Sequence, residues 1–139
     1  MKKYKFLEHT ADIKFTVMGK SIEEIFENSA LAVSEFISKY EKIKSKAKKG
    51  FVISAEDHEE LLYKFLDELI YLLDAKSFVC SHVKVSIKNG KKEMTLKAIA
   101  YGDKTKNYMN LEHIKAATYS EMYLKKVKNG WKAQAVIDI

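Results

Sequence analysis

Two Asn-Gly dipeptides, Asn89-Gly90 and Asn129-Gly130, each lie between runs that alternate apolar and polar residues. That pattern leaves a chain few ways to fold. Asn-Gly is a strong signal for a two-residue hairpin, because both residues accept positive φ at low cost. Before the first dipeptide Val83, Val85 and Ile87 alternate with Lys84, Ser86 and Lys88; after it Met94, Leu96, Ala98 and Ala100 form the return. The second dipeptide joins residues 117–127 to residues 131–139, where Trp131, Ala133, Ala135 and Ile137 share one face and Lys132, Gln134, Val136 and Asp138 the other. A period of two belongs to strands with one buried face. The second half of the chain therefore reads as two antiparallel hairpins, with residues 102–113 as a polar loop between them.

The first half reads differently. Residues 3–8 and 13–19 are strand-like, the second with Ile13, Phe15 and Val17 on one face and Gly19 at its end. Ser21-Ile22-Glu23-Glu24 has the capping-box form, and the apolar positions Ile22, Ile25, Phe26, Ala30, Val33, Phe36 and Ile37 make one helical stripe. This predicts an amphipathic helix of about 17 residues. Asp57 and Glu60 open a second helix, whose leucine-rich run from Leu61 to Leu73 predicts the more buried helix of the two. Between them Lys39, Lys42, Lys44, Lys46, Lys48 and Lys49 crowd one segment, either an electrostatic arm or an edge strand or loop kept soluble by lysine. Phe51-Val52-Ile53 fits a short strand. Strands are segregated from helices rather than alternating with them. The fold class is α+β, with two amphipathic helices packed on a largely antiparallel sheet and room for a second, layered sheet.

A chain of 139 residues, 47% hydrophobic, makes one domain spanning 1–139 and needs no disulfide to fold. The single cysteine, Cys80, has no internal partner and reads as a small buried residue at the start of a strand, which fits a reducing compartment. No apolar run approaches the ~20 residues of a membrane span, and no signal peptide is apparent. The expectation is a cytoplasmic protein with no membrane partner. The net charge of +6 suits nucleic acid or an acidic protein surface. All 25 basic residues are lysine, however, and lysine cannot make the bidentate contact that reads guanine.

Phosphate-loop, CxxC, HExxH and nucleophile-elbow motifs are all absent. His58 has no second histidine at a helical interval, so it fits a helix start rather than a metal ligand. Three polar places remain. The first is Glu8-His9-Thr10-Ala11-Asp12. The second is the end of the chain, where Asp138 precedes Ile139 and its main-chain carboxylate. If the last strand pairs beside the first strands, Asp12, Asp138 and Ile139 come together, and clustered carboxylate oxygens suit calcium or magnesium. The alternative is an Asx-type turn at Asp12 and a merely exposed Asp138. The third is Gly102-Asp103 with His113, Lys115 and Thr118, either a carboxylate and phosphate contact or an ordinary solvated loop.

The run Tyr4-Lys5-Phe6-Leu7-Glu8-His9-Thr10-Ala11-Asp12-Ile13 resembles the N-terminal signature of the archease family. Glu23-Glu24, Phe26-Glu27-Asn28 and Ala30-Leu31-Ala32 are similar to that family's first helix, and Leu61-Leu62, Phe65-Leu66 and Glu68-Leu69-Ile70-Tyr71 to its second. Lys115-Ala116-Ala117-Thr118-Tyr119 resembles its Lys-Ala-x-Thr-Tyr motif, and Trp131 with Asp138-Ile139 its ending. The resemblance implies an accessory protein rather than an enzyme: an activator of the tRNA-splicing RNA ligase, which joins 3′-phosphate or cyclic-phosphate ends to 5′-hydroxyl ends. The implied role is to promote guanylylation of the ligase and so allow multiple turnover, with RNA met only through the ligase. It also implies a divalent ion, calcium in particular, on Asp12, Asp138 and Ile139. The family usually has Gly-Glu where this chain has Gly102-Asp103, and a histidine where it has Ser120. Rival readings from the residues are a stand-alone RNA-binding or chaperone-like module, and a metal-dependent hydrolase with His9 as base.

Overall fold

The structure, a computed structural model, describes residues 3–7, 12–39 and 41–139. In chain order its elements are β1 (Tyr4–Leu7), β2 (Asp12–Gly19), α1 (Ile22–Ser38), β3 (Ala47–Ala55), α2 (His58–Ala75), β4 (Phe78–Asn89), β5 (Met94–Lys104), a 3-10 turn (Thr105–Asn107), β6 (Ala116–Ala117), β7 (Tyr123–Val127) and β8 (Gly130–Asp138). They form an α+β fold with two antiparallel sheets. One is five-stranded, in the order β1-β2-β8-β6 with β7 also on β8; the other is three-stranded, β3-β5-β4.

Both helices begin where their caps dictate. The Ser21 hydroxyl accepts the Glu24 N–H at 3.2 Å, and Glu24 accepts the Lys20 N–H at 3.3 Å. Asp57 accepts the Glu60 N–H at 2.8 Å, and Glu60 accepts the Glu56 N–H at 2.9 Å. The Glu24 and Glu60 N–H groups are donors that helical geometry leaves unpaired, and the return bonds tie down the residue before each N-cap. α1 ends at Lys39, whose left-handed φ of 53° closes the last turn.

Each helix touches strands of both sheets. Phe26 of α1 meets Phe65 of α2 edge-on at 5.3 Å, and Phe51 of β3 lies 5.9 Å from Phe65. Phe15, Phe26, Phe65, Leu61, Leu62 and Leu66 are fully buried. Burying a side chain of this size is worth about 1.5–3 kcal/mol. α1, not α2, proves the more buried helix: Asn28, Ser29, Ala32, Ser34 and Ser38 are buried beside its apolar stripe. Asn28 donates to the Met18 carbonyl of β2 at 2.7 Å, and the Ser34 hydroxyl donates to the Cys80 carbonyl of β4. Counting leucines favoured α2, because small hydroxyl residues look solvent-facing until a second sheet covers them.

The hairpins also refine the reading. The β4–β5 connection is four residues long, closed by Gly90 N–H donating to the Glu93 carbonyl at 2.8 Å, because Asn89 still pairs with Met94. In the second hairpin Val127 pairs with Gly130, so Lys128 and Asn129 form the turn and Gly130 opens β8 at φ 145°. The run 117–127 is broken between β6 and β7, where Glu121 takes a φ of 53°. The lysine segment runs into β3, an edge strand nine residues long, rather than a short strand at 51–53.

Gly102 lies where β4 bulges between Cys80 and His82. A Cβ there would come within 2.0 Å of the Val79 carbonyl oxygen, whereas at Gly50 the nearest atom is 3.8 Å away. Gly102→Ala should therefore destabilise the fold by about 1–3 kcal/mol or more in urea unfolding. Gly50→Ala should be neutral or stabilise by up to about 1 kcal/mol. Equal effects at the two positions would refute the bulge contact.

Candidate functional site

The pairing of β2 with β8 is dictated by their buried faces. Ile13, Phe15 and Val17 lie opposite Ile137, Ala135 and Ala133. A slip of one residue would turn these side chains out to water. The same register sets Asp12 directly across from Asp138, both half-buried. Opposed residues of this kind hold their Cβ atoms about 4.5–5.5 Å apart on one face, and two like charges there repel.

β6 continues the arrangement. Ala116 pairs with Asp138, and the Lys115 N–H donates to the Asp138 carbonyl at 2.9 Å. The Thr118 hydroxyl donates to the Val136 carbonyl at 2.8 Å and accepts the Ser120 N–H at 3.2 Å. The Lys115-to-Tyr119 motif is thus bound alongside β8 through its backbone and Thr118, while the Lys115 side chain is exposed. Tyr119 stacks on Tyr63 of α2 at 4.2 Å.

A cleft of about 490 Å³ opens at this end of the molecule, lined by Asp12, Ile139, Glu35, Lys39 and Glu112 among others. Lys39 pairs with Glu112 at 3.0 Å. Among the described residues, the Glu35 Oε2 atom is buried without a hydrogen-bond partner. Sequence reasoning passed over Glu35 and Glu112. One signal was available: Glu35 is an acid in the last turn of a helix that has no base there, against the helix dipole.

Glu8, His9, Thr10 and Ala11 lie outside the described residues, so the first polar run is described only at Asp12. Among the described residues, no three His, Cys, Asp or Glu side chains gather as a metal cage. The oxygens on offer are those of the opposed Asp12 and Asp138, with the orphaned Glu35 oxygen and the main-chain carbonyl of Ile139 at the cleft that Asp12 also lines. Oxygen-only donors of this type fit a hard divalent cation better than zinc.

The third polar place is not a solvated loop. Asp103 is only 4% exposed. Its carboxylate accepts from the Tyr108 hydroxyl at 2.8 Å, the Lys104 N–H at 2.8 Å and the Asn107 amide at 3.0 Å. Tyr108 in turn accepts the Lys44 N–H at 2.9 Å. The Tyr108 hydrogen bond is the main force holding the Asp103 carboxyl below its usual range. The shorter aspartate suffices, since its partners lie one to five residues away. His113 is exposed, and neither it nor Lys115 is among the Asp103 partners. His58 packs edge-on against Trp131 and His82 stacks on Tyr101. Burial pushes the Cys80 thiol up to about 12, leaving almost no thiolate for nucleophilic chemistry. No helix among the described residues is long and apolar enough to cross a membrane.

Comparison with known proteins agrees across the whole chain. Residues 4–139 match the Archease protein family (MTH1598/TM1083). Protein archease of Methanosarcina mazei is 40% identical over 99% of this chain and 97% of its own length. That of Pyrococcus abyssi is 39% identical over 100% of both. The solution structure of Methanobacterium thermoautotrophicum protein 1598 superposes with a TM-score of 0.87 at 30% identity, covering 100% of both chains. A crystal structure from Thermotoga maritima, described as an archease and possible chaperone, shares the fold at a TM-score of 0.57 and 24% identity over 97% of this chain and 96% of its own.

The Asp103 cluster has a pH signature. A carboxyl whose folded pKa is depressed stabilises the fold above its unfolded pKa and loses that contribution as pH falls through the folded value. Asp103→Asn should therefore lower stability at pH 7 and flatten its decline between pH 5 and pH 2, as followed by urea unfolding. A variant that declines in parallel with the parent protein would show that these bonds do not favour the charged form.

Proposed function

This chain belongs to the archease family, and from that premise we propose that it is an accessory protein of the tRNA-splicing RNA ligase rather than an enzyme itself. In this reading it promotes guanylylation of the ligase and so lets one ligase molecule join many RNA ends. The observation that supports the reading most is the β2–β8 register, which sets Asp12 opposite Asp138 one residue before Ile139. The cleft at that end is rich in acids, Asp12, Glu35 and Glu112, with Lys39 paired to Glu112. Asp12, Asp138 and Ile139 would hold the divalent ion, with calcium favoured by the oxygen-only donors. Bound there, the ion supplies positive charge that offsets the repulsion between the two aspartates. Their strand pairing holds both side chains on one face in advance, so little ordering is needed when the ion binds. The Lys115-to-Tyr119 segment fixes the Asp138 backbone from the other side. Cys80 takes no part, since its thiol is buried and protonated.

Two measurements test this. With limiting ligase, RNA ends and GTP, adding the protein should convert a single round of joining into many rounds. Asp12→Ala or Asp138→Ala should abolish that gain while the protein keeps its cooperative melt; ligation that stays at one round with the intact protein sinks the proposal. Separately, calorimetric titration should find one calcium site that either alanine variant lacks. Calcium at one hundred times its Kd should stabilise the intact protein by about 2.7 kcal/mol. No heat and no shift in melting would remove the ion from the reading.

A further inference from the structure

The outer face of the three-stranded sheet carries lysine without acid. Rows across its strands are Lys48–Tyr101–His82, Gly50–Ile99–Lys84, Val52–Lys97–Ser86 and Ser54–Thr95–Lys88. Leu96, Ala98 and Ala100 of β5 are buried on the opposite face, so these twelve positions point away from the helices. None of the twelve is acidic. None of the ion pairs between described residues uses Lys48, Lys84, Lys88 or Lys97, and all four are exposed. The nearest acid along β5, Asp103, is taken up by Tyr108, Asn107 and the Lys104 N–H.

The centre of the face is apolar. Val52 is 60% exposed and Ile99 41%. Gly50 has no side chain beside Ile99, which leaves a concavity of about 590 Å³ bordered by Lys84 and Lys97. At one end Tyr101 and His82 stack at 4.8 Å with nearly parallel rings. A face kept merely soluble has no need of exposed valine and isoleucine at its centre, and soluble surfaces mix both signs of charge.

We infer that this face binds single-stranded RNA directly, the lysines holding backbone phosphates and the Val52–Ile99 floor and Tyr101–His82 pair receiving bases. Charge complementarity and apolar contact together favour RNA over an acidic peptide, which would use the lysines and leave the floor uncovered. Lysine without arginine means phosphate contacts that do not read sequence. A second copy of the same face is disfavoured by like charge. The lysine segment that leads into β3 extends the same field. This inference stands apart from the ligase reading, and its test contains no ligase.

The probe is a fluorescein-labelled twelve-nucleotide oligo(A) RNA, followed by anisotropy with the 139-residue protein. Four phosphate contacts predict that log affinity falls with log salt at a slope of about −2 to −3. Lys84→Glu with Lys97→Glu should weaken binding by tenfold or more and flatten the slope. Gly50→Glu, which has room for its Cβ, should weaken binding with the melting temperature unchanged. Lys20→Glu with Lys128→Glu, equal in charge change but away from this face, should leave binding within twofold. Equal loss in that control would mean net charge alone and overturn the inference. So would absence of binding at low salt, or displacement of the RNA by polyglutamate as effective as unlabelled RNA of the same charge, which would identify an acidic protein as the occupant.

Discussion

The pairing of β2 with β8 is the constraint on which the rest of the structure depends. It joins residues near position 12 to residues near position 138 and runs for eight rows. Closing so long a loop is costly in chain entropy, and the cost grows only slowly with length. What secures it is the buried side of the ladder, where three large residues of β2 meet small alanines and Ile137 of β8. The polar side follows without further choice. Asp12 and Asp138 face one another because their neighbours must not be exposed.

α1 then sets the spacing of the two sheets. Its apolar residues fill the core, while Asn28 and Ser34 reach a carbonyl of each sheet. Glu27 accepts the Val85 N–H at 2.9 Å and so covers part of the edge of β4. A helix buried on two sides cannot be long-chained on both, so alanine and serine line its second side. The consequence reaches the surface. With both helices engaged between the sheets, no helix among the described residues covers the outer face of β3-β5-β4, and its lysines, Val52 and Ile99 meet solvent.

Legibility differed with the kind of interaction. Helix starts were readable at Ser21 and Asp57, because caps are local. Alternation was readable wherever one face is buried. Turn details were not: Asn129-Gly130 marked the hairpin, yet Gly130 serves as the first strand residue because its Cβ-less backbone must approach the Gly19 carbonyl, 2.3 Å from where a Cβ would stand. The role of Asp103 stayed open in the sequence because its neighbours there are polar; the structure buries it under the Tyr108 hydroxyl, which Lys44 holds through its N–H. Glu35 was hidden in the helix pattern, since only packing shows that one of its oxygens is buried and unpartnered.

By itself the sequence determined the α+β class, the two capped helices, the alternation of the last strand and the family to which the chain belongs. These rest on local chemistry and on residue order. Only the tertiary structure decided that Asp12 stands opposite Asp138, that Glu35 and Glu112 share the cleft with Asp12 and Ile139, and that twelve positions of the small sheet form one basic face. Each of these brings together residues distant in the chain. The pairing that does so is selected by burial of the other side of each strand, which no residue at the site reveals.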